Sequence, residues 1–127
     1  MIVDASAILA VLLKEPEAES FMRTFSSEQE MYITSVNYLE ACVRLMRRRE
    51  DPGQVDRLME ISAIRLVDTT PEQAKFAREA YQRFGKGNHE AQLNLGDCFA
   101  YALAKTRSEP LLFKGEDFRQ TDIEAAL

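Results

Sequence analysis

Met1-Ile2-Val3-Asp4-Ala5-Ser6-Ala7-Ile8-Leu9-Ala10 opens the chain, and its change of period decides the fold. Ile2-Val3 is a short β-branched run, suited to a strand buried on both faces. Over positions 5–14 the apolar residues Ile8, Leu9, Leu12 and Leu13 recur at helical spacing. The same switch returns three times. Strands are predicted at 30–33, 64–67 and 111–113, with helices between them. Alternating strands and helices imply an α/β domain around a mostly parallel sheet.

The punctuation agrees with this division. Glu15-Pro16-Glu17 separates the first helix from a second at 18–25, and Asp51-Pro52-Gly53 precedes one at 54–61. Ser35 or Asn37 caps a long helix with Tyr38, Leu39, Cys42, Leu45 and Met46 on its apolar face. Thr70-Pro71-Glu72-Gln73 starts a helix that runs to Phe84, and another covers 97–106. A last short strand is expected around Ile123.

With 127 residues the chain is expected to form a single domain, residues 1–127, able to bury a core without disulfides. Cys42 and Cys98 fall on apolar helix faces and read as core residues of an intracellular protein. No run approaches a membrane span, and the first strand leaves no room ahead of it for a leader. A cytoplasmic location without membrane contact is the expectation. The net charge of −5 is awkward for a nucleic-acid enzyme but does not exclude one, since a local basic patch could serve.

Four carboxylates stand out: Asp4, Glu40 and Asp117 follow predicted strand ends, and Asp97 opens the predicted helix at 97–106. In a parallel sheet those ends share one edge, so acids distant in sequence converge there. Carboxylate oxygens suit Mg²⁺ or Mn²⁺, as in a two-metal nuclease. Each acid also has a bland reading. Asp4 and Asp97 could be helix caps, Glu40 could close a capping box with Asn37, and Asp117 could be a turn residue.

The stretches Ile2-Val3-Asp4-Ala5-Ser6-Ala7, Ser35-Val36-Asn37-Tyr38-Leu39-Glu40, Leu93-Asn94-Leu95-Gly96-Asp97-Cys98-Phe99-Ala100-Tyr101-Ala102-Leu103-Ala104 and Pro110-Leu111-Leu112-Phe113-Lys114-Gly115-Glu116-Asp117-Phe118 carry a resemblance. In order and spacing they resemble the PIN-domain ribonucleases, and within them the VapC-type toxins. The resemblance implies a three-layer α/β/α sandwich with a four- to five-stranded sheet. It also implies Mg²⁺- or Mn²⁺-dependent endoribonuclease activity and an RNA substrate. A cognate VapB-type antitoxin, a homodimer and a toxin–antitoxin hetero-oligomer follow as expected partners. Asp4, Glu40 and Asp97 map onto the family's acidic triad and Asp117 onto its more variable fourth acid, a role for which Asp122 competes.

Within such a site Asp4 and Asp97 would be shared metal ligands. Glu40 would hold one ion or orient the attacking water, and Asp117 would bind the second ion or act through water. Ser6 and Thr121 are candidate hydroxyls behind the acids. Arg44, Arg47 and Lys86 are candidates for RNA or antitoxin contact. His89 reads as polar surface, and Gly85-Lys86-Gly87 lacks the P-loop pattern.

Rival classes fit less well. A haloacid-dehalogenase-type phosphatase needs a second aspartate where Ser6 stands. A receiver domain would use Lys114 but lacks its early acidic pair. A housekeeping ribonuclease, or a PIN-like module that only binds RNA or protein, remains the alternative.

Overall fold

The structure is a computed structural model and describes residues 1–28 and 30–127. Four strands form one parallel sheet: β1 (Ile2–Val3), β2 (Met31–Thr34), β3 (Ile64–Val67) and β4 (Leu111–Leu112), in the order β3-β2-β1-β4. The helices are α1 (Ala5–Leu12), α2 (Ala18–Ser27), α3 (Ser35–Arg47), α4 (Gly53–Ser62), α5 (Pro71–Phe84) and α6 (Leu95–Arg107).

Strand alternation sorts the core into two halves. Val3, Met31, Ile33 and Leu112 face one way, onto Ile8, Leu45, Val55 and Leu58 of α1, α3 and α4. Ile2 and Leu111 face the other way, onto Ala77, Ala80, Ala100 and Leu103 of α5 and α6. The result is the α/β domain with a parallel sheet that the period switches predict, in the three-layer α/β/α arrangement that the family resemblance implies. Cys42 and Cys98 are buried free thiols, one in each half. Among the described residues no helix is long and apolar enough to cross a membrane.

Several boundaries differ from the sequence expectation. Thr34, rather than Ser35 or Asn37, caps α3, its side chain accepting the Asn37 N–H. Three adjacent cap formers compete here, and the strand's end selects the first. The buried face of α3 is Asn37, Ala41, Cys42 and Leu45, while Leu39 and Met46 are 58% and 48% exposed. Neighbouring elements cover the side of the helix that carries Ala41, Cys42 and Leu45 and leave Leu39 and Met46 outside.

Helix α6 begins at Leu95 with Asn94 as its cap, two residues before the predicted start. α1 stops at Leu12, two residues short, and Lys14 takes a left-handed φ of 54°. Strand β4 ends at Leu112. No strand forms around Ile123. Instead a single bridge joins Ala125 to Leu111, with Leu111 N–H donating to Glu124 O and Ala126 N–H to Leu111 O.

Candidate active site

Asp4 sits at the carboxyl end of β1, 3% exposed, and caps α1. One oxygen, Oδ2, accepts the Ser6 N–H at 2.9 Å and the Ser6 hydroxyl at 2.6 Å. Ser6 Oγ in turn accepts the Lys114 N–H at 3.0 Å, which ties the β1 end to the turn after β4. The other oxygen, Oδ1, is buried with no hydrogen-bond partner. A buried acceptor without a donor is costly unless something cationic meets it.

Glu40 lies on the second turn of α3 and is partly buried. It takes no part in capping, which Thr34 performs. Its Oε2 accepts the Asn37 Nδ2–H at 3.2 Å. Gly96 permits this placement, because a Cβ there would lie 2.5 Å from Glu40 Oε2.

Asp97 occupies the third position of α6, where Oδ2 accepts the Asn94 N–H at 2.9 Å in a capping box. The cap reading and the site reading thus both hold a part of this residue, one oxygen being spoken for. Asp117 is exposed, in the turn that contains Gly115 at a φ of +99° and precedes a single 3-10 turn, Phe118–Gln120.

Charge acts between these acids, from Asp4 on Glu40 and Asp97 and from Glu40 and Asp117 on Asp97. Burial raises the Asp4 carboxyl above its usual value. Glu40 is raised by burial and then by the charge of Asp4, with Arg44 opposing. Asp97 is pushed up to about 7 by burial, then by Asp4, and further by Glu40 and Asp117. Mutual repulsion of this kind marks carboxylates that lack a counter-charge. Among the described residues, no three His, Cys, Asp or Glu side chains already close around one point as a finished metal cage. The fit to a divalent cation rests on the all-oxygen donor set, the uncompensated charge and the orphaned Asp4 Oδ1.

The PIN domain profile matches residues 1–124. A ribonuclease VapC of Mycolicibacterium smegmatis is 42% identical over 127 residues, covering 98% of both chains. The chain belongs to the PIN domain family, among the VapC ribonucleases. The fold agrees with solved members. VapC20 of Mycobacterium tuberculosis, described as a sarcin-ricin loop cleaving toxin, superposes with a TM-score of 0.76 at 16% identity, over 96% of this chain and 95% of that one. A toxin–antitoxin complex from Klebsiella pneumoniae contains a chain matching with a TM-score of 0.70 at 16% identity, over 95% and 92%.

Within this PIN fold the remaining candidates separate. Asp122 accepts from the Tyr101 hydroxyl at 2.8 Å and pairs with Lys105 at 3.1 Å and Arg83 at 3.8 Å. Tyr101 and Lys105 lie farther along α6 from its start, where Asp97 stands. Asp117, unlike Asp122, is among the charges that raise Asp97. Thr121 spends its hydroxyl locally, donating to Phe118 O and accepting the Ile123 N–H, so it does not stand behind the acids.

Arg44 and Arg47, with Val36, Leu39, Val43, Glu40 and Gly96, line a groove of about 430 Å³ beside the acids. Neither arginine has a carboxylate salt-bridge partner among the described residues. Lys86 is exposed in the loop after α5, where its N–H donates to Leu93 O. His89 Nδ1 accepts the Ala91 N–H, and its ring stands edge-on to Phe84 at 5.2 Å, so it shapes that loop. Sequence reading did not find the linking role of Asn37, which also donates to Gly96 O at 2.9 Å. The only available signal was its place one helical turn before Glu40.

Proposed function

We propose that this chain is a metal-dependent endoribonuclease, residues 1–127 acting as one domain, and the toxin of a toxin–antitoxin pair in the cytoplasm. The observation that carries the reading is the acid edge itself. Asp4 raises both Glu40 and Asp97 by its charge, and among the described residues Asp4 Oδ1 has no donor and none of the three acids has a salt-bridge partner. The 42% identity to a ribonuclease VapC supports RNA as the substrate.

Asp4 Oδ1, Asp97 and Glu40 would hold Mg²⁺ or Mn²⁺, with Asp117 at the open side of the site. When bound there, such an ion would supply Lewis-acid charge for phosphodiester hydrolysis. Glu40 orients the attacking water from the wall formed with Gly96. Ser6 keeps Asp4 Oδ2 occupied, so that Oδ1 is the free ligand oxygen. Arg44 and Arg47 hold RNA phosphates along the adjoining groove.

An antitoxin of the VapB type would block the same edge by presenting a lysine or arginine to the acids. The toxin–antitoxin complex among the fold neighbours supports such a partner. Exposed Leu39, Met46 and Leu95 offer apolar surface for a second copy or for the antitoxin.

The purified chain should cleave RNA with Mg²⁺ or Mn²⁺ and stop when EDTA is in excess. Induction alone should arrest growth, and co-expression of the neighbouring reading frame should restore it and give a co-purifying complex. Full cleavage in EDTA would remove the metal reading. Unimpaired growth with active protein present would leave a housekeeping ribonuclease.

A further inference from the structure

The Glu40 carboxylate leans on a buried amide to which the mechanism above gives no task. Asn37 is 0% exposed, and each polar atom of its side chain is engaged. Nδ2 donates to Glu40 Oε2 at 3.2 Å and to Gly96 O at 2.9 Å, while Oδ1 accepts the Thr34 hydroxyl at 2.6 Å. The amide's orientation follows from its neighbours. Glu40 and Gly96 present acceptors, so the NH₂ has to face them. Thr34 Oγ1 already accepts the Asn37 N–H at 2.9 Å, which leaves the hydroxyl proton for Oδ1.

Gly96 directly precedes Asp97 in the chain. One amide thus joins the helix that carries Glu40 to the helix that carries Asp97, across 59 residues of sequence. Gly96 closes the other side, since a Cβ there would lie 2.5 Å from Oε2 and 2.8 Å from Cδ of Glu40. An apolar side chain at position 37 would fill the same space but leave Gly96 O and Glu40 without their donor.

We propose that Asn37 is a positioning residue acting through Glu40. Together with Gly96 it sets the direction of the Glu40 carboxylate and its spacing from Asp97 before a divalent cation arrives. This rests on the metal-site reading above. A ligand whose orientation is already fixed loses less freedom on binding the ion, and partners behind a ligating carboxylate commonly govern metal affinity.

The test measures Mn²⁺ binding to the RNA-free chain by titration of the free-ion electron paramagnetic resonance signal. Thermal unfolding in EDTA follows the fold. Asn37→Asp keeps the shape but replaces the donor by an acceptor. Gly96→Ala favours the helix yet pushes Glu40 from the opposite wall. Each should weaken Mn²⁺ binding by about tenfold or more. Adding Asn37→Asp to Glu40→Gln should cost little further, because the amide acts through that carboxylate.

Unaltered Mn²⁺ affinity in either folded variant overturns the proposal, as does an undiminished loss in the Glu40→Gln background. If Asn37→Asp does not fold, the affinity of Gly96→Ala decides alone. Failure of the wild-type chain to bind Mn²⁺ would bring down the metal reading as well. Bound Mn²⁺ with unaffected variants brings down only the role of Asn37.

Discussion

Helix α6 carries one acid problem at its start and meets another near its end, and the chain treats them in opposite ways. At the start, Asp97 faces Asp4, Glu40 and Asp117 and is pushed up to about 7 by burial and by those charges. Toward the end, Tyr101 and Lys105 meet Asp122, joined there by Arg83 of α5. Burial alone would raise Asp122. The Tyr101 hydroxyl, Lys105 and Arg83 outweigh it and hold the carboxyl below its usual value. The fold can therefore neutralise an acid with its own cations, and at the β1 end it does not. On the function proposed above, that difference separates an acid paired within the fold from acids open to a cation from outside.

The largest expected effect tests that separation through cleavage. Asp4→Asn or Asp97→Asn should lower the rate of RNA cleavage at saturating Mg²⁺ by about 10²-fold or more, the scale of losing charge stabilisation at the reacting phosphate. Asp122→Asn should stay within roughly twofold, as a change remote from the chemistry that leaves the fold intact. A comparable loss at Asp122, measured in the same assay, would break the comparison.

Stability against pH gives the next largest effect. The folded chain keeps the Asp97 proton up to about pH 7, whereas the usual carboxyl value is 3.8. Between those values the folded state binds the extra proton. The stability that this confers is full below the lower value and is lost as pH rises through the upper one. In EDTA the midpoint of thermal unfolding should therefore fall between pH 5 and pH 8, both round settings bracketing the transition. Asp97→Asn should recover on the order of 2 kcal/mol at the higher pH. Mg²⁺ should flatten the wild-type curve. A midpoint that rises over that range in EDTA, and does so equally in Asp97→Asn, would show that the acids are not strained by their charges.

The smallest effect sharpens the other half of the contrast. Asp122→Ala removes an acceptor from Tyr101 and a partner from Lys105, both in a partly exposed setting. It should cost roughly 1 kcal/mol in denaturant unfolding. No measurable cost would mean that the Asp122 side chain adds nothing to the backbone bonds and apolar packing that hold the C-terminal residues.

The strands were legible because Ile2-Val3, Met31-Tyr32-Ile33 and Leu111-Leu112 are apolar runs bounded by turns and helix starts, a signal that needs no distant partner. Asp4, Glu40 and Asp117, which follow those runs, were legible for the same reason, and Asp97 by its place at a helix start. The α3 cap was not, since Thr34, Ser35 and Asn37 are all competent caps and only the strand's end chooses among them. The burial of α3 was misread at Leu39 and Met46, where periodicity reports an apolar face but not which neighbour arrives to cover it. Asn37 was legible only as a candidate capping partner of Glu40, and its bond to Gly96 was out of reach. Its meaning depends on Gly96, which the chain brings near only after two further helices and a strand.

The pairing of β1 with β4 sets Ile2 beside Leu111 and Val3 beside Leu112. The central strand is thus completed by residues made more than a hundred positions later. Contacts so far apart in sequence close late, after the cost of a long loop has been met. During synthesis the first strand and its aspartate emerge early and wait, with Asp97, Lys114 and Asp117 still to come. An edge assembled in this order does not exist while most of the chain is still being made, and its acids meet only when the polypeptide is nearly finished.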